Sequence, residues 1–287
     1  MRRALILISN PGIQGEQNYA PTTEKAIDQW ESFFRSPIGG FWQDNEVFRF
    51  DETHLIGTER LRTMIGQLNQ PELCDYSVVV FCGHGLRTID NCDVVQLPLA
   101  TVNDLNLLPL KEILALDDFG QPLTNVKRTV IADACRSMQP LTYNQLFEER
   151  QYSGILQING DDCSVYYNKL IEDCHPHVEL LQSTRAGQFA FGDIEGSAYC
   201  KAVFDTVRRD ELIWGSKALT DRTGHFSVSM KEMHDAAEKE MSIEGIQMPQ
   251  YSYYGEAESG NFPFSAYQVP VVHTLESILS EIEILED

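Results

Sequence analysis

Two short segments hold residue types that can do chemistry: Phe81-Cys82-Gly83-His84-Gly85 and Ile131-Ala132-Asp133-Ala134-Cys135-Arg136-Ser137, each closing a run of β-branched and apolar residues. A thiol becomes a strong nucleophile only as the thiolate, so a catalytic cysteine needs a base within reach or a positive local field. His84 can be that base and Cys135 that nucleophile. The glycines beside His84 let backbone approach a substrate carbonyl, and the N–H groups of Gly85 and Cys135 could then form an oxyanion hole. Cys82 lies inside its apolar run and is expected to pack in the core.

For His84 and Cys135 to meet, both runs must be strands of one sheet with their carboxyl ends on the same edge, the usual crevice for ligands in open α/β sheets. Strand-length apolar runs do alternate with helix-period segments, the pattern of a doubly wound, mostly parallel sheet with helices on both faces. Strands are expected at residues 4–9, 46–50, 77–81, 129–132 and 178–182. Helices are expected over the segment carrying Ala26, Trp30, Phe33 and Phe34, over 57–68, over 109–116, and around 143–151, 164–174, 197–207 and 230–241. The stretch holding Pro249, Gly255, Gly260 and Pro263 reads as turns. Leu275, Ile278, Leu279, Ile282 and Leu285 form the stripe of a C-terminal helix, either docked on the core or offered to a partner.

The 287 residues carry 22 basic against 43 acidic side chains, a net charge of −21 that repels nucleic acid and anionic membrane and attracts basic protein segments. The apolar run at Ala4–Ser9 is too short for a signal core or a membrane span. With seven cysteines, an odd number, the thiols are expected to stay free in a reducing compartment, and the protein is expected in the cytoplasm. Phosphate-binding glycine motifs are absent. Cys163, Cys174, His175 and His177 do not have the spacing of a zinc site, and Asp117-Asp118 and Asp161-Asp162 lack the spacing of a calcium loop.

These residues resemble the caspase, metacaspase and paracaspase group of cysteine peptidases, most closely a compact prokaryotic member. The resemblance spans most of the chain. Residues 1–140 are similar to the large subunit, 141–177 to the connecting segment and 178–270 to the small subunit, with 271–287 as a C-terminal helix, all in one domain. The offset of 51 residues from His84 to Cys135 matches the caspase spacing of about 50. The resemblance implies a caspase-like α/β fold, a His84–Cys135 dyad, and endopeptidase activity that needs no cofactor, with the calcium dependence of some metacaspases left open.

The departures from the caspase pattern concern specificity. Caspases have Gln two residues before the nucleophile, in a pocket whose arginines hold a substrate Asp. Here that position is Asp133, as in metacaspases; a pocket arginine is replaced near Gly192 beside Asp193; and the first loop has no arginine between Arg3 and Arg35. A buried Asp133 can pair with a substrate Arg, or less well with Lys; alternatively it only caps backbone amides at the strand end. The expected pocket is Asp133, Ser183, Phe191 and Asp193, taking a basic P1 residue with Arg preferred. The expected partners are protein substrates with basic cleavage sites, together with an activating protease or regulatory protein. Arg150, in the polar connecting segment, is the expected processing site, ahead of Lys169; Arg136 and Arg185 are poorer because they flank strands expected to be buried. Two rivals remain: a caspase-like scaffold with an idle dyad, and a small-molecule amidohydrolase with a cysteine nucleophile.

Overall fold

In the computed structural model the described residues are 1–12, 19–20, 22–98, 106–117, 120–123, 125–136, 159–190, 192–193, 196–220, 225–244, 247–256 and 260–268. In chain order the first half holds β1 (Arg3–Asn10), α1 (Thr22–Arg35), β2 (Val47–Phe50), α2 (Thr58–Leu68), β3 (Tyr76–Gly83), β4 (Gly85–Arg87), β5 (Asp93–Gln96), β6 (Leu107–Pro109), α3 (Leu110–Ile113) and β7 (Lys127–Ala134). The second half holds α4 (Gly160–Asp173), β8 (His177–Gln182), β9 (Gly192–Asp193), β10 (Gly196–Ser197), α5 (Ala198–Thr220), β11 (His225–Ser229), α6 (Met230–Glu244), β12 (Gln250–Tyr254) and β13 (Pro263–Gln268).

The main sheet runs β12-β8-β7-β3-β1-β2. Its neighbours pair in parallel except β12, which lies antiparallel on β8. β1, β3, β7 and β8 are buried almost throughout, which is why the stretches Ala4–Ile8, Val78–Cys82 and Val130–Ala132 read as apolar runs and not as alternating ones. Both faces are covered. On one, Trp30, Phe33 and Phe34 of α1 meet Phe204 of α5 and Phe264 of β13, with Phe33 stacked on Phe264 at 4.4 Å. On the other, Leu61 and Ile65 of α2 and Leu110 and Ile113 pack with Val95 and Leu108 of the small β4-β5-β6 sheet.

Several expected elements differ. The stretch read as turns holds β12 and β13. α3 is one turn long, because Ala115 adopts a left-handed φ of 54° two residues beyond it. The connecting segment contributes α4, which buries Cys163, Tyr167 and Ile171 in the core, so Lys169 sits in a helix and not in the extended chain a protease needs. Cys163 lies in α4 and His177 opens β8. The helices expected near 143–151 and 271–287 lie outside the described residues. Among the described residues no helix is long and apolar enough to cross a membrane.

Candidate active site

β3 and β7 are adjacent at the centre of the sheet, with Gly83 in register with Ala134. The next residues along the two strands are His84 and Cys135, so the sheet itself delivers the imidazole and the thiol to one edge. Two glycines permit the close packing there. A Cβ on Gly83 would lie 2.5 Å from the carbonyl oxygen of Asn10, and one on Gly85 would lie 2.9 Å from that of Cys135. The backbone of the His84 turn therefore rests against β1 on one side and against Cys135 on the other. Because Gln96 N–H donates to the His84 carbonyl at 2.9 Å and Gly85 faces Val95, Gly85 is a non-hydrogen-bonded pair, and its N–H turns away from β5.

The imidazole is oriented by backbone. His84 Nε2 donates to the carbonyl oxygen of Pro11 at 3.2 Å. A carbonyl can only accept, so the neutral ring carries its proton on Nε2 and keeps Nδ1 as the basic nitrogen. The sulfur of Cys135 receives the N–H of Ala190 at 3.3 Å, a donor that favours negative charge there. Cys82 is the opposite case: it is buried on β3, and burial, reinforced by the nearby Asp133, pushes its thiol well above the usual range.

Asp133, two residues before Cys135, is buried. One carboxylate oxygen, Oδ2, accepts the hydroxyl of Ser197. That hydroxyl in turn accepts Cys200 N–H at 2.9 Å, so Ser197 caps α5 and ties Asp133 to the positive end of the helix. Burial pushes the Asp133 carboxyl up to about 6, against the opposing pull of Ser197 and of nearby Ser183. Asp133 Oδ1 and the Ser183 hydroxyl are both buried and make no hydrogen bond among the described residues. A buried carboxylate oxygen without a donor is costly, and a donor brought by a ligand relieves it.

Of the other expected pocket residues, Asp193 lies in β9 opposite Gly196, whereas Phe191 and the expected processing residue Arg150 lie outside the described residues. Arg136 is buried and forms a hub: it donates to Asp93 Oδ2 at 2.7 Å, to Gln250 Oε1 at 2.7 Å and to the Thr184 carbonyl at 3.0 Å. Arg185 flanks β8, which is buried as expected, while its own side chain is exposed and pairs with Glu238 at 3.1 Å. Sequence reasoning missed Pro11, Ala190 and Ser197. Pro11 and Ala190 act through main-chain atoms, which leave no mark in residue type; for Ser197 the one signal was a cap-type residue before a helical segment.

Residues 31–255 match a family model described as the caspase domain. This chain belongs to the caspase-domain family. It therefore carries the domain of a family of cysteine peptidases, and its mixed, mostly parallel sheet is the caspase fold. A structure of protein GSU0716 from Geobacter sulfurreducens is similar over 90% of this chain and 95% of that one, with a TM-score of 0.56 and 12% identity. Caspase-1 from Spodoptera frugiperda also matches, over 88% of this chain and 85% of its own, with a TM-score of 0.48 and 12% identity. No curated protein matches the chain. In this caspase-domain chain β1 and Pro11 precede the matched segment, so the partner of His84 comes from outside it. Among the described residues no group of three or more His, Cys, Asp or Glu side chains could hold a metal ion.

Proposed function

We propose that this protein is a cysteine endopeptidase that cuts after a basic P1 residue, Arg ahead of Lys, with His84 and Cys135 as its dyad. The observation that carries the reading is the register pairing of β3 with β7, which ends the two strands side by side at His84 and Cys135, with the half-satisfied carboxyl of Asp133 buried just behind. In the reaction the Cys135 thiol gives its proton to His84 Nδ1 as sulfur bonds to the scissile carbonyl carbon, and the carbonyl electron pair moves onto oxygen. Gly85 and Cys135 N–H groups hold that oxygen. The tetrahedral adduct then collapses, the C–N bond breaks, and the leaving amine takes the proton from His84. Water, deprotonated by the same imidazole, hydrolyses the thioester and returns Cys135.

At the pocket, a P1 guanidinium offers five donors to Asp133 Oδ1 and the Ser183 hydroxyl, where an ammonium offers three. The net charge of −21 attracts basic substrate segments. No step requires a cofactor. The test is a set of peptides that differ only at P1, cleaved by the protein and by Cys135→Ala. Arg should exceed Asp in kcat/KM by about 30- to several-thousand-fold, the worth of a buried charge partner of about 2–5 kcal/mol. A preference for P1 Asp overturns the pocket assignment; no cleavage of any peptide favours the scaffold.

A further inference from the structure

Asn10 ends β1, is 2% exposed, and lies in register with Gly83, the residue before His84. Its side-chain amide is used at both ends. Nδ2 donates to the carbonyl of Gln96 at 2.6 Å, and Oδ1 accepts Gly12 N–H at 3.1 Å, an Asx turn across Pro11. Gly12 N–H and the Pro11 carbonyl belong to the same planar trans peptide, in which the two groups point opposite ways. Holding the N–H therefore aims the carbonyl, and the carbonyl is the group that receives His84 Nε2. The same carbonyl accepts Ala20 N–H at 2.6 Å, so the peptide is gripped on both sides. The Gln96 unit closes the circuit, since its N–H donates to the carbonyl of His84. Asn10, Gln96, His84 and the Pro11–Gly12 peptide thus form a closed ring of hydrogen bonds around the imidazole.

We infer that Asn10 is a positioning residue for the catalytic histidine: it sets the Pro11–Gly12 peptide so that Nε2 keeps the proton and Nδ1 faces the thiol. Without it, Gly12 N–H and the Gln96 carbonyl lose their partners, and the peptide, whose Gly12 sits at a permissive φ of 88°, keeps only the grip of Ala20 N–H on its carbonyl and can tilt about it. The inference rests on the His84–Cys135 dyad but not on the identity of the P1 residue.

The experiment reads the dyad without substrate and then with it. Alkylation of Cys135 by iodoacetamide, followed by peptide mass as a function of pH, reports the thiolate held by the imidazole; kcat and KM on a basic-P1 peptide follow. Asn10→Ala should slow alkylation near neutral pH by about 10-fold or more and lower kcat by about 10- to 100-fold, with KM within about twofold. Asn10→Ser, whose hydroxyl can still accept Gly12 N–H, should recover much of both. If Asn10 serves only to pack the end of β1, the variants melt earlier but their alkylation profiles stay as in the parent, and that result overturns the inference. Should Asn10→Ala fail to fold, Asn10→Ser decides on the same profile. A parent Cys135 that titrates like a free thiol, near about 8.5, overturns the dyad and this inference together. An activated Cys135 in an enzyme with no taste for basic P1 overturns only the pocket, and the Asn10 comparison then stands on alkylation alone.

Discussion

Replacing Asp133 with Asn should make the empty protein more stable above pH 6 while removing its selectivity. The carboxyl titrates at about 6 instead of the ordinary 3.8 because burial penalises its charge by more than Ser197 and Ser183 offset. Its folded-state pKa is raised, so between about pH 4 and about 6 the folded protein keeps a proton that the unfolded chain releases. The stability tied to this group is therefore complete below about pH 4 and is lost as pH rises through about 6. The gap corresponds to about 3 kcal/mol. An Asn side chain stays neutral at every pH and can still accept the Ser197 hydroxyl, so it escapes that loss. Urea unfolding followed by the fluorescence of the buried Trp30 and Trp42 checks this at about pH 4, 5.5 and 7.5. The two proteins should differ least at the acid end, and Asp133→Asn should lead by about 3 kcal/mol at the alkaline end. A basic P1 group supplies the missing partner, so a reversible arginine-based inhibitor should stabilise the parent and leave Asp133→Asn unmoved. A variant that is less stable at pH 7.5, or a gap that does not change with pH, refutes the account of a half-satisfied buried carboxylate.

Three further outcomes are expected. Cys135→Ala and His84→Ala should each abolish peptide turnover with normal circular dichroism, and the double variant should be little worse than either, whereas Cys82→Ala should keep turnover and lose about 1 kcal/mol of stability. Gly85→Ala drives a methyl to 2.9 Å from the Cys135 carbonyl and should lower kcat by about 100-fold, while Gly66→Ala in α2, where a Cβ meets nothing, should raise stability by roughly 0.5–1 kcal/mol. Asp93→Asn leaves the buried Arg136 guanidinium without its carboxylate and should cost about 3 kcal/mol in denaturant unfolding.

The central strands were legible because burial on both faces leaves largely apolar runs, and each proved one to four residues longer than expected. The placement of His84 beside Cys135 was legible for the same reason: both stand where those runs stop. β12 was not. Gln250-Tyr-Ser-Tyr-Tyr is a half-buried edge strand whose polar composition, between Pro249 and Gly255, looks like a turn. β4, β5 and β6, at three or four residues each, are too short to show a period. Asp133 was singled out by type and position, but its tether Ser197 is 64 residues away, and no local pattern joins the two. The groups that aim the imidazole and the sulfur, Pro11 and Ala190, work through carbonyl and amide atoms that any sequence possesses.

The antiparallel strand β12 also has a bearing on when the protein can act during its own synthesis. Gln250 is 114 residues beyond Arg136, whose guanidinium it accepts, and Gln247 donates to the carbonyl of Ser183 at 2.7 Å from 64 residues further on. Arg136, next to Cys135, and Ser183, just after β8, are thus both pinned by side chains that leave the ribosome long after His84 and Cys135. A growing chain that has made His84 and Cys135 but not yet β12 lacks those pins, and contacts of such long sequence separation form late in folding. The surroundings of His84 and Cys135 are in this way completed only after residues 247–250 have been made, by chain order alone.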